Sequence, residues 1–355
     1  MGLLGLLRKL RDPRPDPFDL ILSRQANPLI TLLKSAAIGD TVLLSAVVRD
    51  LRAALPGCRL RLACGSSNAA LARMVPGVDE VVVLPMSKPV QLWRMRRRLR
   101  SDVFVDFDSW PRINALIAFG SGSRATIGFR TPGQHRHALY DSVIDHSTSL
   151  HEVENYRRLV QPLIADIGAR LPTPARPWLQ LPELRHGTAE DAAHVVVFHM
   201  FAGGSQASFK EWPEASWRAL ALDLVERGFE VRLTGGPAEL ERNQSFARRV
   251  GKGDKVCAWP VTGLAELGAW LKGTATVVAV DTGVAHLAAA VGAPTLVLHG
   301  PTSPQRWGAL GPVVRYLKDA QTPWIQLGFE VSDGGTPVQL SLEEVRAAVT
   351  ALATR

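Results

Sequence analysis

Several classes of protein are excluded by what the chain does not contain. It has only three cysteines in 355 residues, Cys58, Cys64 and Cys257. They cannot all pair, and no Cys/His spacing suits zinc, so reduced thiols in a cytosolic setting are expected. No apolar run approaches the ~20 residues of a membrane span. There is no G-x-G-x-x-G after the first apolar run, no G-x-x-x-x-G-K-[ST], no G-x-S-x-G elbow and no H-E-x-x-H, the marks of dinucleotide, P-loop, hydrolase and zincin sites. Acidic residues are in deficit, 33 against 41 Lys and Arg, for a net charge of +8. That surplus favours an anionic partner, whether nucleic acid, a phospholipid surface or a phosphorylated substrate.

What the chain does contain is a repeated alternation of short apolar runs and helical stretches. The runs Leu29–Lys34, Arg59–Ala63, Glu80–Leu84, Val103–Val105 and Ala125–Gly128 read as strands, with helices between them over 41–55, 68–74, 90–99 and 113–119. The second half repeats the scheme, with strands at 194–199, 230–233, 277–280 and 295–298 and a closing helix over 340–353. Alternation of this kind predicts an α/β chain of two doubly wound parallel sheets, with ligands at the carboxyl ends of the strands. A Pro-rich run at 171–177 sets the expected boundary near 185, giving an N-terminal extension (1–18), a first domain (19–185) and a second (186–355). The Leu-rich, basic residues 1–11 read as a frayed or packed end, with an interfacial helix on an anionic membrane as the other reading.

The most informative stretch is 274–304. A buried β-branched strand ends in Asp281-Thr282-Gly283, and a small Ala-rich helix follows. Bare N–H groups at a helix start at the carboxyl end of a strand suit a phosphate, and an ordinary βαβ unit with a capped helix is the other reading. A second candidate is the loop Phe201–Pro213, which reads either as an oxyanion cradle built on Ser205, Gln206 and Lys210 or as a solvent loop capping the next helix. A third is Asp40, at the start of the first helix, either an N-cap or a general base. Asp106-Phe107-Asp108 reads as a polar strand end rather than a cation holder. The basic run Trp93–Arg100, with Arg94, Arg96 and Arg97, is either a solvated helix face or a site for a phosphorylated or lipid-bound acceptor.

Four segments together resemble glycosyltransferase family 9, the lipopolysaccharide heptosyltransferases. Ile38-Gly39-Asp40-Thr41 is similar to the family's first signature, Lys210-Glu211-Trp212-Pro213 to its lysine loop, Asp281–Ala290 to its most specific motif, and Gly300-Pro301-Thr302-Ser303-Pro304 to the loop after it. Lys34 stands where the family often has Arg. The resemblance implies a GT-B fold with two Rossmann-like domains facing a cleft. It implies Asp40 as the general base, and donor contacts from Ser205, Gln206, Lys210, Asp281, Thr282, Gly283 and His286, with Glu239 or Glu241 on the ribose. The acceptor is assigned to Arg94, Arg96 and Arg97. The activity implied is inverting transfer of heptose from ADP-heptose to the phosphorylated lipopolysaccharide core, with no metal and no cofactor beyond the ADP-sugar co-substrate. The expected setting is the cytoplasmic side of the inner membrane, in peripheral contact with its anionic surface and without nucleic acid as a partner. The readings weighed against it are a non-catalytic nucleotide-sugar-binding protein on the same scaffold and a nucleotide-sugar epimerase.

Overall fold

The computed structural model describes residues 27–164, 171, 174–183, 192–203, 207–259, 263–322 and 338–353. The chain forms two compact units that meet in sequence between Gln180 and Leu181. The expected boundary near 185, the extension 1–18, and Ser205 and Gln206 lie outside the described residues.

The first unit is built on a six-stranded parallel sheet in the order β3-β2-β1-β4-β5-β6. Its strands are β1 (Leu29–Lys34), β2 (Arg59–Cys64), β3 (Glu80–Val83), β4 (Val103–Asp106), β5 (Ala125–Arg130) and β6 (Ser142–Asp145). β1 lies centrally, and its apolar residues from Ile30 to Leu33 are buried, as a strand covered on both faces requires. Helix α1 (Ile38–Ala54) follows it, and α2 (Ala69–Ala72), α3 (Pro89–Met95), α4 (Arg112–Gly120) and α5 (Glu152–Ile164) complete the unit. A single 3₁₀ turn, Arg96–Leu99, extends α3. The helices α1 and α5 are tied by a buried ion pair, Arg157 Nε to Asp50 Oδ2 at 3.0 Å.

The second unit repeats the design, with order β12-β11-β10-β7-β8-β9. Its elements are β7 (Val195–His199), α6 (Ala207–Lys210), α7 (Glu214–Glu226), β8 (Glu230–Leu233), α8 (Leu240–Val250), β9 (Val256–Ala258), α9 (Leu264–Leu271), β10 (Thr276–Val280), α10 (Gly283–Ala290), β11 (Thr295–His299), α11 (Pro304–Trp307), β12 (Val314–Lys318) and α12 (Leu342–Ala353). One face of its core joins Phe198, Trp212, Trp217, Val278 and Leu298 to Val345, Val349 and Leu352 of the closing helix α12. Three strands were not expected from sequence: β6, β9 and β12. All three are edges of their sheets. No described helix is long and apolar enough to cross a membrane.

Candidate active site

In the first unit the chain moves outward from β1 to β3, then returns to place β4 on the other side of β1. This reversal opens a crevice at the carboxyl ends of β1 and β4, the usual ligand position in an open α/β sheet. Asp40 lies there, in the first turn of α1. It does not cap that helix: the N-cap is Ala37, which makes no side-chain cap bond. The Asp40 carboxylate instead stands 3.1 Å from Lys34 Nζ, with its side chain still 32% exposed. Lys34 is buried and donates to Asp108 Oδ1 at 2.8 Å. Asp108 Oδ2 accepts from Ser35 N (2.7 Å), Ser35 Oγ (2.6 Å) and Asn114 Nδ2 (2.6 Å). Asn68 fastens the same turn from the β2 side, donating to Lys34 O at 2.9 Å and to Thr41 Oγ1 at 2.8 Å.

The charges in this cluster fix one another. Burial alone would neutralise Lys34, but the Asp108 carboxylate, followed by Asp40, holds its ammonium pKa well above the ordinary value. Burial likewise pushes Asp108 up, yet the Lys34 charge and the hydrogen bonds from Lys34 and Ser35 outweigh it and keep the carboxyl below its usual range. Asp106 is committed to Arg136 and to the Tyr140 hydroxyl, the latter at 2.6 Å. The Asp-x-Asp pair is therefore internal scaffolding for the β1 turn. Sequence reasoning missed Lys34 and Asp108 as supports of Asp40. The available signal was a lysine closing a strand of mostly apolar, buried residues, which needs a buried anion.

In the second unit the corresponding reversal falls between β7 and β10. The loop after β7 delivers Lys210 on the short helix α6, and β10 delivers Asp281 and Thr282. Lys210 Nζ and Asp281 Oδ2 are 3.3 Å apart. The Lys210 loop is anchored on both sides. Val338 N donates to Glu211 O at 3.0 Å, and the buried Trp212 indole donates to Leu340 O at 2.9 Å. Burial pushes the Asp281 carboxyl up, but Lys210 first, then His299 and His286, outweigh it and hold it far below the carboxylate range. Asp281 thus stays anionic and holds Lys210 in place.

Helix α10 begins at N-cap Thr282 without a side-chain cap bond, and the Thr282 hydroxyl oxygen is buried with no hydrogen-bond partner among the described residues. Its first-turn N–H groups lack intrahelical acceptors. An open helix start, a cap hydroxyl and a lysine beside them make an anion site. His286 is buried on the first turn of α10. His299, unforeseen from sequence, is fully buried at the end of β11, with Nδ1 3.2 Å from Thr302 Oγ1. Burial lowers its pKa to about 4, so the ring is neutral at pH 7.

Glu239 and Glu241 separate. Glu239 is half-buried and folds back over the turn that ends β8: a Cβ added to Gly235 would sit 2.7 Å from Glu239 Cβ. That strand neighbours β7, where an acidic group meets ribose hydroxyls in dinucleotide folds. Glu241 is exposed on the first turn of α8.

The arginines assigned to the acceptor are not brought to Asp40. Arg94, Arg96 and Arg97 stand at the end of α3 and in the turn after it. That turn lies at the amino edge of the sheet, where Thr31 Oγ1 donates to Leu99 O and Asp102 N to Leu29 O. Asp40 follows the opposite end of β1, a strand of 6 residues, or about 20 Å at ~3.3 Å per residue. The backbone of this turn is therefore about one strand length from Asp40, because the last turn of α3 lies at the end of the sheet opposite the crevice. Among the described residues no group of three His, Cys, Asp or Glu is arranged to hold a metal ion.

Two doubly wound parallel sheets, each with polar groups at its reversal point, make up the GT-B fold. The comparisons narrow this further. Residues 92–324 match glycosyltransferase family 9 (heptosyltransferase), and the chain belongs to that family. It is 29% identical over 306 residues to lipopolysaccharide heptosyltransferase 1 of Pseudomonas aeruginosa, covering 79% of this chain and 81% of that one. It is 26% identical over 300 residues to the lipopolysaccharide heptosyltransferase 1 of Salmonella typhimurium, covering 79% and 91%. In fold it is similar to an Escherichia coli heptosyltransferase solved with ADP, at a TM-score of 0.71 and 20% identity over 91% of this chain and 99% of that one.

Proposed function

We propose that the chain moves a heptose from ADP-heptose to the phosphorylated inner core of lipopolysaccharide, with inversion and without a metal, at the cytoplasmic face of the inner membrane. The observation that carries the reading is Asp40: a partly exposed carboxylate at a sheet reversal, free of capping duty and fixed by a buried lysine. The names of the heptosyltransferase 1 relatives support the sugar and the acceptor class.

In this reading Asp40 accepts the proton of the acceptor hydroxyl as its oxygen attacks the anomeric carbon. The bond from that carbon to the diphosphate breaks on the opposite face, and its electron pair leaves with ADP. The transition state is oxocarbenium-like, as in glycoside hydrolysis. The charge that grows on the diphosphate meets Lys210 and the open start of α10. Thr282 and Gly283 supply N–H groups, His286 lines the same place, and Glu239 meets the ribose. Lys34 stays paired with Asp108 throughout, so protonation of Asp40 leaves no unmatched buried cation.

A thermal-shift comparison tests the donor class. ADP and ADP-sugars are expected to raise the melting temperature more than UDP- or GDP-sugars at equal concentration. Equal stabilisation by all three bases contradicts the donor assignment.

A further inference from the structure

The arginine-rich turn excluded above from the vicinity of Asp40 still needs an occupant. Between Glu80 and Asp102 the sequence contains no acidic residue, but it contains Lys88, Arg94, Arg96, Arg97, Arg98 and Arg100. None of these five arginines forms an ion pair with a described residue. Helix α3 carries the two most exposed large apolar side chains among the described residues, Val90 at 65% and Trp93 at 45%. Val90, Trp93, Arg94 and Arg97 recur at helical spacing and share one face. Beside that face is a hollow of ≈ 530 Å³ lined by Trp93, Arg96, Arg97, Arg100, Phe119 and Gly120, among others. The Arg96 guanidinium stacks 3.9 Å from the Trp93 ring. Gly120 permits this: a Cβ there would lie 2.7 Å from Arg96 Cδ.

We propose that this face docks on the anionic headgroups of a phospholipid bilayer. Trp93 and Val90 enter the interface, and Arg96, Arg97 and Arg100 take headgroup phosphates in the hollow. An amphipathic stretch that pairs an exposed Trp and an aliphatic residue with unopposed arginines fits a membrane surface. A polynucleotide would use the arginines and the ring but has no use for Val90, and it needs a track of phosphate contacts rather than one headgroup-sized hollow. The inference is independent of the transfer reaction.

The test is sedimentation of the full chain with phosphatidylcholine vesicles, with and without phosphatidylglycerol, at several salt concentrations. Binding is expected only with the anionic lipid and is expected to weaken as salt rises. At about five-fold per arginine, the Arg96→Gln, Arg97→Gln, Arg100→Gln triple variant loses on the order of 100-fold in affinity. Trp93→Ala, which keeps every charge, loses several-fold. Both variants keep the wild-type melting temperature, ADP affinity and transfer to a lipid-free acceptor fragment. Wild-type vesicle binding by both variants overturns the proposal, as does equal binding to uncharged vesicles or displacement by single-stranded RNA. Loss of transfer to the lipid-free acceptor in the triple variant also overturns it and returns these arginines to the acceptor site. A wild-type chain inactive in transfer would count against the reaction, while the vesicle result would still decide the docking surface.

Discussion

In the proposed reaction Asp40 and Lys210 carry the chemistry, and Lys34, 3.1 Å from the Asp40 carboxylate, holds it in place. Lys210 stands beside the open start of α10, paired with Asp281 at 3.3 Å. Removing a charged hydrogen-bond donor of this kind costs ~1.5–3 kcal/mol. Lys210→Ala is therefore expected to weaken ADP binding about ten- to a hundred-fold by calorimetry, and unchanged affinity places the diphosphate elsewhere. Lys34→Met leaves Asp108 buried without its cation, a loss of ~3–5 kcal/mol. Denaturant unfolding at neutral pH should show that drop, and a change below ~1 kcal/mol would remove the ion pair as a support of the turn. At this scale the sequence was partly legible. Asp40, Lys210 and Asp281 could be chosen because each sits in a short motif at the end of an apolar run. Lys34–Asp108 could not, because its two residues follow different strands and only the sheet order brings them together.

Elements position these side chains through close backbone packing. Gly65, at the end of β2, faces the β1 turn so closely that a Cβ would fall 2.2 Å from Ser35 O. Gly65→Ala must push the Lys34–Ser35 backbone aside, at a cost of ~1–3 kcal/mol typical of overpacking. The expected result is a lower melting temperature together with reduced turnover, while ADP affinity stays near wild type because the second unit is untouched. Unchanged stability and turnover would show that the turn yields freely. The central strands were readable because they are continuous β-branched runs, as in Thr276–Val280. The missed strands were edges: Ser142–Asp145 is only partly buried, Val256–Ala258 has three residues, and Val314–Lys318 has no fully buried position. An edge strand has one neighbour and a wet side, so its composition approaches that of a loop. The Asp40 cap reading failed for a related reason: a favoured capping residue is no guide when the preceding turn starts the helix earlier, at Ala37.

Across the whole molecule, two buried neutral histidines should make stability depend on pH. Burial lowers both His199 and His299 to about 4. In the unfolded chain they titrate near 6.5. Between these values the unfolded state binds more protons, so stability is full above about pH 6.5 and falls as pH drops toward 4, by about 3 kcal/mol for each ring. Asp281, whose carboxyl is depressed, adds its own loss only below about pH 4. Melting curves from pH 7 to 4 should show this decline, and a His199→Asn, His299→Asn variant should be flatter over the same window. A slope as steep in the variant as in the wild type contradicts the assignment.

The fold class, the two parallel sheets and the family were accessible from spacing and motif order, while the place of Arg94, Arg96 and Arg97 relative to Asp40 was not, because a charge run in sequence does not reveal which end of a sheet it occupies. The account as a whole depends on Asp40 acting as the base. Single-turnover transfer from ADP-heptose to a lipopolysaccharide core acceptor, compared between wild type and Asp40→Asn, tests it most directly. The account predicts a rate lower by ~10²–10⁴ with donor affinity unchanged. Transfer at close to the wild-type rate by Asp40→Asn would contradict it.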